Sequence, residues 1–237
     1  MMLKIWVSAL LGLAACGINA APLQVSLPEI IPLSFITPEG QKLGLYVDLV
    51  NAISQESGIE LQITITPFAR SVNLINHGKA DLAVHNTSAV QSSRLRNLGT
   101  LHLTDLVLWP NTRMVLSNKS QLTGQVVGRL RGGCQRVLDT SAVQFYDINH
   151  YEQGVKMLAA QRLDALCGSR EAILFAIRRN ALPALETGQP LRLEQMQVAL
   201  LARQDLSQSQ LERLERATRK IMKSALPQQL ASRYGLK

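Results

Sequence analysis

Aromatic residues are scarce in this sequence of 237 residues, at 4% of the chain, and low-complexity tracts are absent. The formal net charge is +8 at pH 7, but the Lys and Arg residues are scattered rather than clustered with aromatic side chains. Surfaces that bind nucleic acids combine a basic patch with aromatic residues that stack on bases. The composition therefore argues against a nucleic-acid partner.

Sequence motifs of several large enzyme classes are also missing. The four histidines, at positions 77, 85, 102 and 150, have no spacing typical of metal ligands. The chain has no GxSxG segment, no Walker loop and no GxGxxG segment that opens a helix. We therefore expect no metal, no cofactor and no catalytic residues, and a protein that is not an enzyme.

The N-terminus has the pattern of a signal peptide. One lysine precedes an apolar run from Ile5 to Ala15, which is too short to cross a bilayer comfortably, and small residues follow. Residues 1–20 are therefore predicted to be a signal peptide, which places the mature protein in the periplasm. The segment LAAC, which ends at Cys16, is similar to a lipobox, so a lipid anchor on Cys16 is the alternative.

Two further cysteines, Cys134 and Cys167, would remain in the mature protein. An even number of cysteines in an oxidising compartment favours a disulfide, while two buried free thiols are the alternative. A bridge would stabilise the fold by roughly 3–4 kcal/mol through the lower entropy of the unfolded chain.

Strand and helix patterns alternate along the chain, which is typical of a parallel sheet covered by helices. In the first half, strand patterns lie at 23–27, 60–66 and 80–84, and helical patterns lie at 45–57 and 69–78. In the second half, strand patterns lie at 125–130, 143–148 and 164–167, with helices predicted after Gly132-Gly133 and at 151–163. Two units of similar plan predict two lobes.

Extended segments at 106–116 and 191–203 flank the second unit, and an amphipathic helix at 207–226 follows. The second unit is therefore predicted to be an insertion between two crossing strands. The predicted division is a first lobe at 21–108, a second lobe at 109–195 and a return to the first lobe at 196–237.

Polar residues follow three of the predicted strands, at the edge where open α/β sheets bind their ligands. The first set is His85, Asn86 and Ser88, the second is Arg131, Gly132 and Gly133, and the third includes Ser169. Backbone N–H groups in a glycine-containing loop can hold an anion. We expect these three sets to converge in one cleft.

Several segments, in this order and spacing, resemble the bacterial extracellular solute-binding proteins of family 3, the periplasmic amino-acid-binding type. The segments are IPLSFITPEGQKLGLYVDLVNAISQESG, PFARSVNLINHGKADLAV, VVGRLRGGCQ and AAQRLDAL. The resemblance implies a two-lobe α/β fold of the type II periplasmic-binding-protein kind, with parallel-rich sheets joined by two hinge strands. It implies a monomer that closes on a small anionic or amino-acid-like ligand and delivers it to an ABC permease.

Two other functions on the same scaffold remain alternatives. One is a sensory protein that presents its closed lobes to a membrane receptor, and the other is a periplasmic dehydratase or lyase. The second would need a carboxylate in the cleft as a general acid or base, and the strand ends offer none clearly, since Asp164 is interpreted as structural.

The resemblance also implies roles for individual residues. Phe68 takes the place of an aromatic residue that stacks on the ligand, and Arg94 that of an arginine that clamps the ligand carboxylate, with Arg96 as the alternative. The complete predicted ligand-binding set is Phe68, Arg70, His85, Asn86, Ser88, Arg94, Arg131, Gly132, Gly133 and Ser169.

The chain departs from the family pattern at Ser169, where relatives carry an aspartate that holds the α-ammonium group of an amino acid. Arg131 adds a cation nearby. Together these differences predict a ligand more anionic than a zwitterion. In the two-lobe fold that the resemblance implies, a Cys134–Cys167 bridge would fix the floor of the cleft.

Overall fold

The computed structural model describes residues 21–90, 92–139 and 141–236. The predicted signal peptide and the alternative lipid site at Cys16 lie outside the described residues. The strands are β1 (Leu23–Pro28), β2 (Phe35–Ile36), β3 (Lys42–Leu43), β4 (Leu61–Thr66), β5 (Leu82–Asn86), β6 (Leu95–Pro110), β7 (Val126–Leu130), β8 (Gln144–Ile148), β9 (Ala165–Ser169) and β10 (Leu191–Arg203). The helices are α1 (Leu45–Ser57), α2 (Phe68–Asn76), α3 (Tyr151–Ala159), α4 (Arg170–Arg179), α5 (Pro183–Glu186), α6 (Gln208–Met222) and α7 (Leu226–Arg233).

Eight strands form one continuous sheet in the order β4-β1-β5-β10-β6-β9-β7-β8, and β2 and β3 form a small separate pair. Within each half of the sheet, three parallel strands are followed by one antiparallel strand. The order β4-β1-β5-β10 in the first lobe is therefore repeated as β8-β7-β9-β6 in the second.

The long strands β6 and β10 connect the two lobes. They pair antiparallel with each other along most of their length. In the first lobe β10 also pairs with β5, and in the second lobe β6 also pairs with β9. Both predicted lobe boundaries fall within these two strands, at 108/109 in β6 and 195/196 in β10. The two strands are thus the hinge segments of a two-lobe fold.

Each lobe has its own hydrophobic core. In the first lobe, Leu49 and Ile53 of α1 pack with Val25 and Leu27 of β1. The second lobe has one cluster between α3, α4 and the sheet, and another on the opposite face. The buried residues of the two lobes thus form distinct clusters, and Ile30 and Phe68 of the first lobe border the second-lobe cluster between the lobes.

Helix α1 has the bounds that its sequence pattern predicts. Its buried residues follow the spacing of one helix face. The helix ends at Gly58, whose φ of 62° lies in the left-handed region that glycine adopts at low cost. The sequence therefore contains both the periodicity and the stop signal of this helix.

The helix predicted after Gly132-Gly133 is wrong, because the described residues between β7 and β8 form turns instead. Gly132 and Cys134 have φ values of 79° and 61°, which are incompatible with a continuing right-handed helix. Leu138 and Val143 are buried in this connection and pack on the sheet where a helix would otherwise cover it. We call residues 131–139 the disulfide loop.

Strand β6 also begins at Leu95, eleven residues before the extended run predicted from Leu106. Among the described residues, no helix is both long and apolar enough to span a bilayer.

Candidate functional site

A cavity of about 360 Å³ lies between the two lobes, where the carboxyl ends of the parallel strands meet the hinge strands. Seven of the predicted ligand-binding residues line it: Phe68, His85, Asn86, Ser88, Gly132, Gly133 and Ser169. The three sets of strand-end residues therefore contribute to one cleft. A volume of this size accommodates a small organic molecule.

The predicted clamp Arg94 lies elsewhere. It borders a different pocket, together with Arg203 and Asp205. The physical reason is the direction of β6, which is antiparallel to β10, as β5 is, and therefore runs parallel to β5. Its first residue, Leu95, pairs with Arg203 at the end of β10, level with the amino end of β5 and at the sheet edge opposite to the cleft.

Arg96, Arg70 and Arg131 do not line the cavity either. Arg96 forms an ion pair of 2.7 Å with Glu215 on α6. The side chain of Arg131 is 75% exposed and lies 3.5 Å from a carboxylate oxygen of Asp147.

A different arginine, Arg136, lines the cleft, although it is not in the predicted ligand-binding set. It belongs to the disulfide loop of the second lobe, and its Nη1 atom donates a hydrogen bond of 2.5 Å to the backbone carbonyl of Ser88 in the first lobe. Among the described lining residues, it is the one that carries a guanidinium or ammonium group. Its position two residues after Cys134 is the one signal in the sequence that could have indicated it.

The predicted disulfide between Cys134 and Cys167 is present. It joins the disulfide loop to β9, with the two Cα atoms 6.4 Å apart, and both cysteines line the cleft. The bridge thereby fixes the part of the loop from which Arg136 extends.

His85 forms a buried, neutral part of the first-lobe wall. Its Nε2 atom lies 2.8 Å from the hydroxyl of Ser71, and its ring meets the ring of Phe68 edge to face at 5.4 Å. Burial lowers the pKa of His85 to about 4. The imidazole is therefore uncharged at neutral pH and supplies no positive charge for an anionic ligand.

In the second lobe, an aromatic residue lies at the position that corresponds to Phe68, the start of the helix beside the cleft. Tyr151, the first residue of α3, is buried against Gly168 of β9 and lines the cleft. A Cβ atom at Gly168 would overlap the ring and hydroxyl of Tyr151, so the close contact requires glycine. Burial raises the pKa of Tyr151 to about 12, although a hydrogen bond with the backbone of Ser169 opposes this rise.

A polar cluster crosses the hinge behind the cleft. Ser169 and Thr104 line the cavity, and their hydroxyls donate to the same carboxylate oxygen of Glu171. His102 lies 3.8 Å from the other oxygen of Glu171 through Nε2, and 3.2 Å from the Tyr46 hydroxyl through Nδ1. The cluster therefore connects α1 of the first lobe, the hinge strand β6 and α4 of the second lobe.

Burial dominates the protonation of this cluster. It lowers the pKa of His102, although the negative charge of Glu171 acts in the opposite direction. It raises the pKa of Tyr46 above its ordinary value, and Glu171 adds to this rise. Tyr46 is therefore a neutral hydrogen-bonding group at physiological pH.

Much of the remaining lining is apolar, with Ile30, Leu33, Leu106, Leu130 and Met196 among its residues. Glu194 of β10 adds one carboxylate to the lining. No cluster of three potential metal ligands occurs in the part of the chain that the structure describes. The geometry suits a small molecule with an apolar body and an anionic group that reaches Arg136.

The model of the bacterial extracellular solute-binding proteins, family 3, matches residues 25–236. At the level of sequence, no curated protein is similar to the chain. Solved structures provide further comparisons.

A periplasmic binding protein of Salmonella typhimurium with high arginine specificity is 19% identical, with a TM-score of 0.72 over 90% of this chain and 99% of the other. An amino acid ABC transporter substrate-binding protein of Streptococcus pneumoniae, bound to L-arginine, is 18% identical, with a TM-score of 0.71 over 90% and 94%. A histidine kinase sensor domain is 15% identical, with a TM-score of 0.76 over 91% and 96%. At these identities the likeness establishes a shared fold, the type II periplasmic binding fold.

Proposed function

Because this chain belongs to the family 3 bacterial extracellular solute-binding proteins, we propose that its cleft captures a small organic acid or an amino-acid-like anion. The proposal rests on the interlobe cavity, whose lining combines apolar side chains with the solvent-exposed Arg136. Guanidinium groups bind carboxylates through two parallel charge-assisted hydrogen bonds.

The position of Arg136 also suits the closure of the lobes. Its bond to the Ser88 carbonyl already joins the second lobe to the first. A ligand carboxylate would compete for the same guanidinium and would itself contact both lobes. Closure around the ligand by motion at β6 and β10 is then the expected response, since hinges of this kind absorb the change at a few backbone positions.

We infer that the protein works in the periplasm as a monomer and passes its ligand to an ABC permease. The S. pneumoniae structure described above comes from such a transport system. The sensor domain of a histidine kinase has the same fold, so presentation to a membrane sensor is a second candidate. Catalysis has less support, because the family is one of binding proteins.

A thermal-shift screen of the mature protein, from residue 21 onward, tests the proposed function. The panel contains amino acids, dicarboxylates, keto acids and aromatic acids. A ligand at about 100 times its Kd stabilises a protein by about 2.7 kcal/mol, which corresponds to a rise in Tm of roughly 5–10 °C at this chain length. We expect one chemical class to give such a shift. A panel in which no compound raises Tm would contradict the proposal.

A further inference from the structure

The wall of the cleft beside the hinge contains two buried hydroxyl groups whose hydrogen atoms are already committed. Thr104 and Ser169 are 4% and 7% exposed, and both line the cavity. The Ser169 hydroxyl donates to Oε2 of Glu171 at 3.2 Å, and the Thr104 hydroxyl donates to the same oxygen. Glu171 itself stands behind them and does not line the cavity.

Each hydroxyl has one hydrogen to donate and two lone pairs that can accept. The two hydroxyl oxygens also lie 3.4 Å apart, so either can donate to the other instead of to Glu171. Because a carboxylate can only accept, both hydrogens stay within this cluster and away from the cleft. The oxygen lone pairs of Thr104 and Ser169 are what remains for a ligand. A carbonyl or carboxylate oxygen placed there would face lone pairs backed by a negative charge, and it would leave buried acceptors without a donor.

We propose that Glu171 is a positioning residue that fixes these hydroxyls as hydrogen-bond acceptors, so that the cleft selects organic acids that also carry a donor group. This inference rests on the proposed function, because it concerns the same cleft. An amine or a hydroxyl group beside the ligand carboxylate can donate hydrogen bonds to the oxygens of Thr104 and Ser169, whereas a keto group at that place cannot. The carboxylate itself is directed to Arg136.

The proposal differs from the expectation that the ligand is more anionic than a zwitterion. That expectation came from the serine at position 169, which lacks the charge of an aspartate, and from the nearby cation of Arg131. Glu171 returns one negative charge to this place, two residues later in the chain and behind the hydroxyl layer. The cleft can therefore accept a positively charged or neutral donor.

Matched ligand series test the proposal directly. The aromatic series is L-phenylalanine, 3-phenyllactate, 3-phenylpropionate and phenylpyruvate, in which one position carries an amine, a hydroxyl, hydrogen or a keto oxygen. The aliphatic and acidic series are built in the same way on leucine and glutamate. Titration calorimetry should show that at least one donor-bearing acid binds about tenfold or more tightly than its keto counterpart.

In the Glu171→Gln variant the amide can donate to the two hydroxyls, which frees their hydrogens to point into the cleft. We expect the ratio of the Kd of the keto acid to the Kd of the donor-bearing acid to fall about tenfold, toward one. A residue with a purely structural role would weaken all members of a series alike and leave the ratio unchanged. The double variant Thr104→Val/Ser169→Ala removes the hydroxyls and keeps the carboxylate, so it should abolish the preference for the neutral hydroxy acid over its keto counterpart.

The matched control is Glu215→Gln, since Glu215 is similarly exposed and ion-paired but lies outside the cleft. It should leave the ratio at the value of the unmodified protein. Equal or tighter binding of the keto acids by the unmodified protein would overturn this inference while the proposed function stands. Failure of every acid in all three series to bind would count against both.

Discussion

The two lobes share one strand order, yet they differ in the segment between their first two parallel strands. In the first lobe, helix α1 connects β1 with β4 and packs its apolar face on the sheet. In the second lobe, the disulfide loop takes this place between β7 and β8. A loop held by a covalent bond can carry a charged side chain into the cleft, and Arg136 occupies that position.

The correspondence extends to single residues. Asp81 accepts a hydrogen bond of 2.8 Å from the backbone N–H of Gln24, and Asp164 accepts one of the same length from Val126. Each aspartate thereby ties the start of one strand to its parallel neighbour.

Four residues after these aspartates, the lobes diverge. The first lobe has His85 there, packed against Phe68 at the start of α2. The second has Gly168, packed against Tyr151 at the start of α3. The shared topology thus determines where the strands end at the cleft. The side chains at these ends differ, so that the wall of the first lobe is neutral and the second lobe carries the charged groups.

Removal of the disulfide should produce the largest effect on stability. A bridge that closes a loop of 33 residues is expected to contribute roughly 3–4 kcal/mol. The Cys134→Ser/Cys167→Ser variant should lower the free energy of unfolding by that amount in urea titrations. A reductant should destabilise the unmodified protein similarly and leave the variant unaffected. Unchanged stability in the variant would mean that the second lobe does not depend on the bridge.

The pH dependence of stability should report on the first-lobe wall. The pKa of His85 is about 4 in the folded protein, below the value near 6.5 in an unfolded chain. Between these values the unfolded chain binds more protons, so the free energy of unfolding should fall by up to about 3 kcal/mol as the pH drops from 6.5 to 4.

His102 also has a lowered pKa and acts in the same direction. The His85→Gln variant therefore isolates the contribution of His85. Urea unfolding between pH 4 and 7 should show a shallower slope in this variant than in the unmodified protein. Equal slopes would contradict a buried, neutral His85.

The Gly168→Ala substitution tests the matching position in the second lobe, with a smaller expected effect. The added Cβ atom overlaps Tyr151, and overpacking in a well-packed interior costs about 1–3 kcal/mol. In a Tyr151→Leu background the same substitution should cost less, because the ring is gone. Chemical denaturation of the four proteins of this double-mutant cycle measures the difference, and additive costs would argue against the contact.

The lobes also differ in how far the sequence predicts them. Helix α1 follows from its apolar spacing and from Gly58, and the structural role of Asp164 follows from the repeat of the pattern around Asp81. These features are local, and each is set by a few neighbouring residues.

The features that the sequence did not reveal depend on distant contacts. Arg136 reaches the cleft because a disulfide and two residues with positive φ direct its loop. Arg94 is at the wrong sheet edge because β6 pairs with β10 from its first residue. Glu171 lies next to the cleft wall through the hydroxyl of Ser169, two residues earlier, and through that of Thr104, which lies 67 residues earlier on a hinge strand. Such contacts join residues that are far apart in the chain, and they leave no periodic pattern within a single segment.

In the proposed function, a small organic acid binds between the lobes and Arg136 holds its carboxylate. Calorimetric titration of a ligand from the screen into the Arg136→Gln and Arg131→Gln variants would measure this role of Arg136. Both arginines belong to the disulfide loop and both are exposed, but Arg131 lies outside the cleft. Loss of a charge-assisted pair should weaken binding to Arg136→Gln about tenfold or more, with little change for Arg131→Gln. Equal affinities of the two variants and the unmodified protein would contradict a carboxylate contact with Arg136.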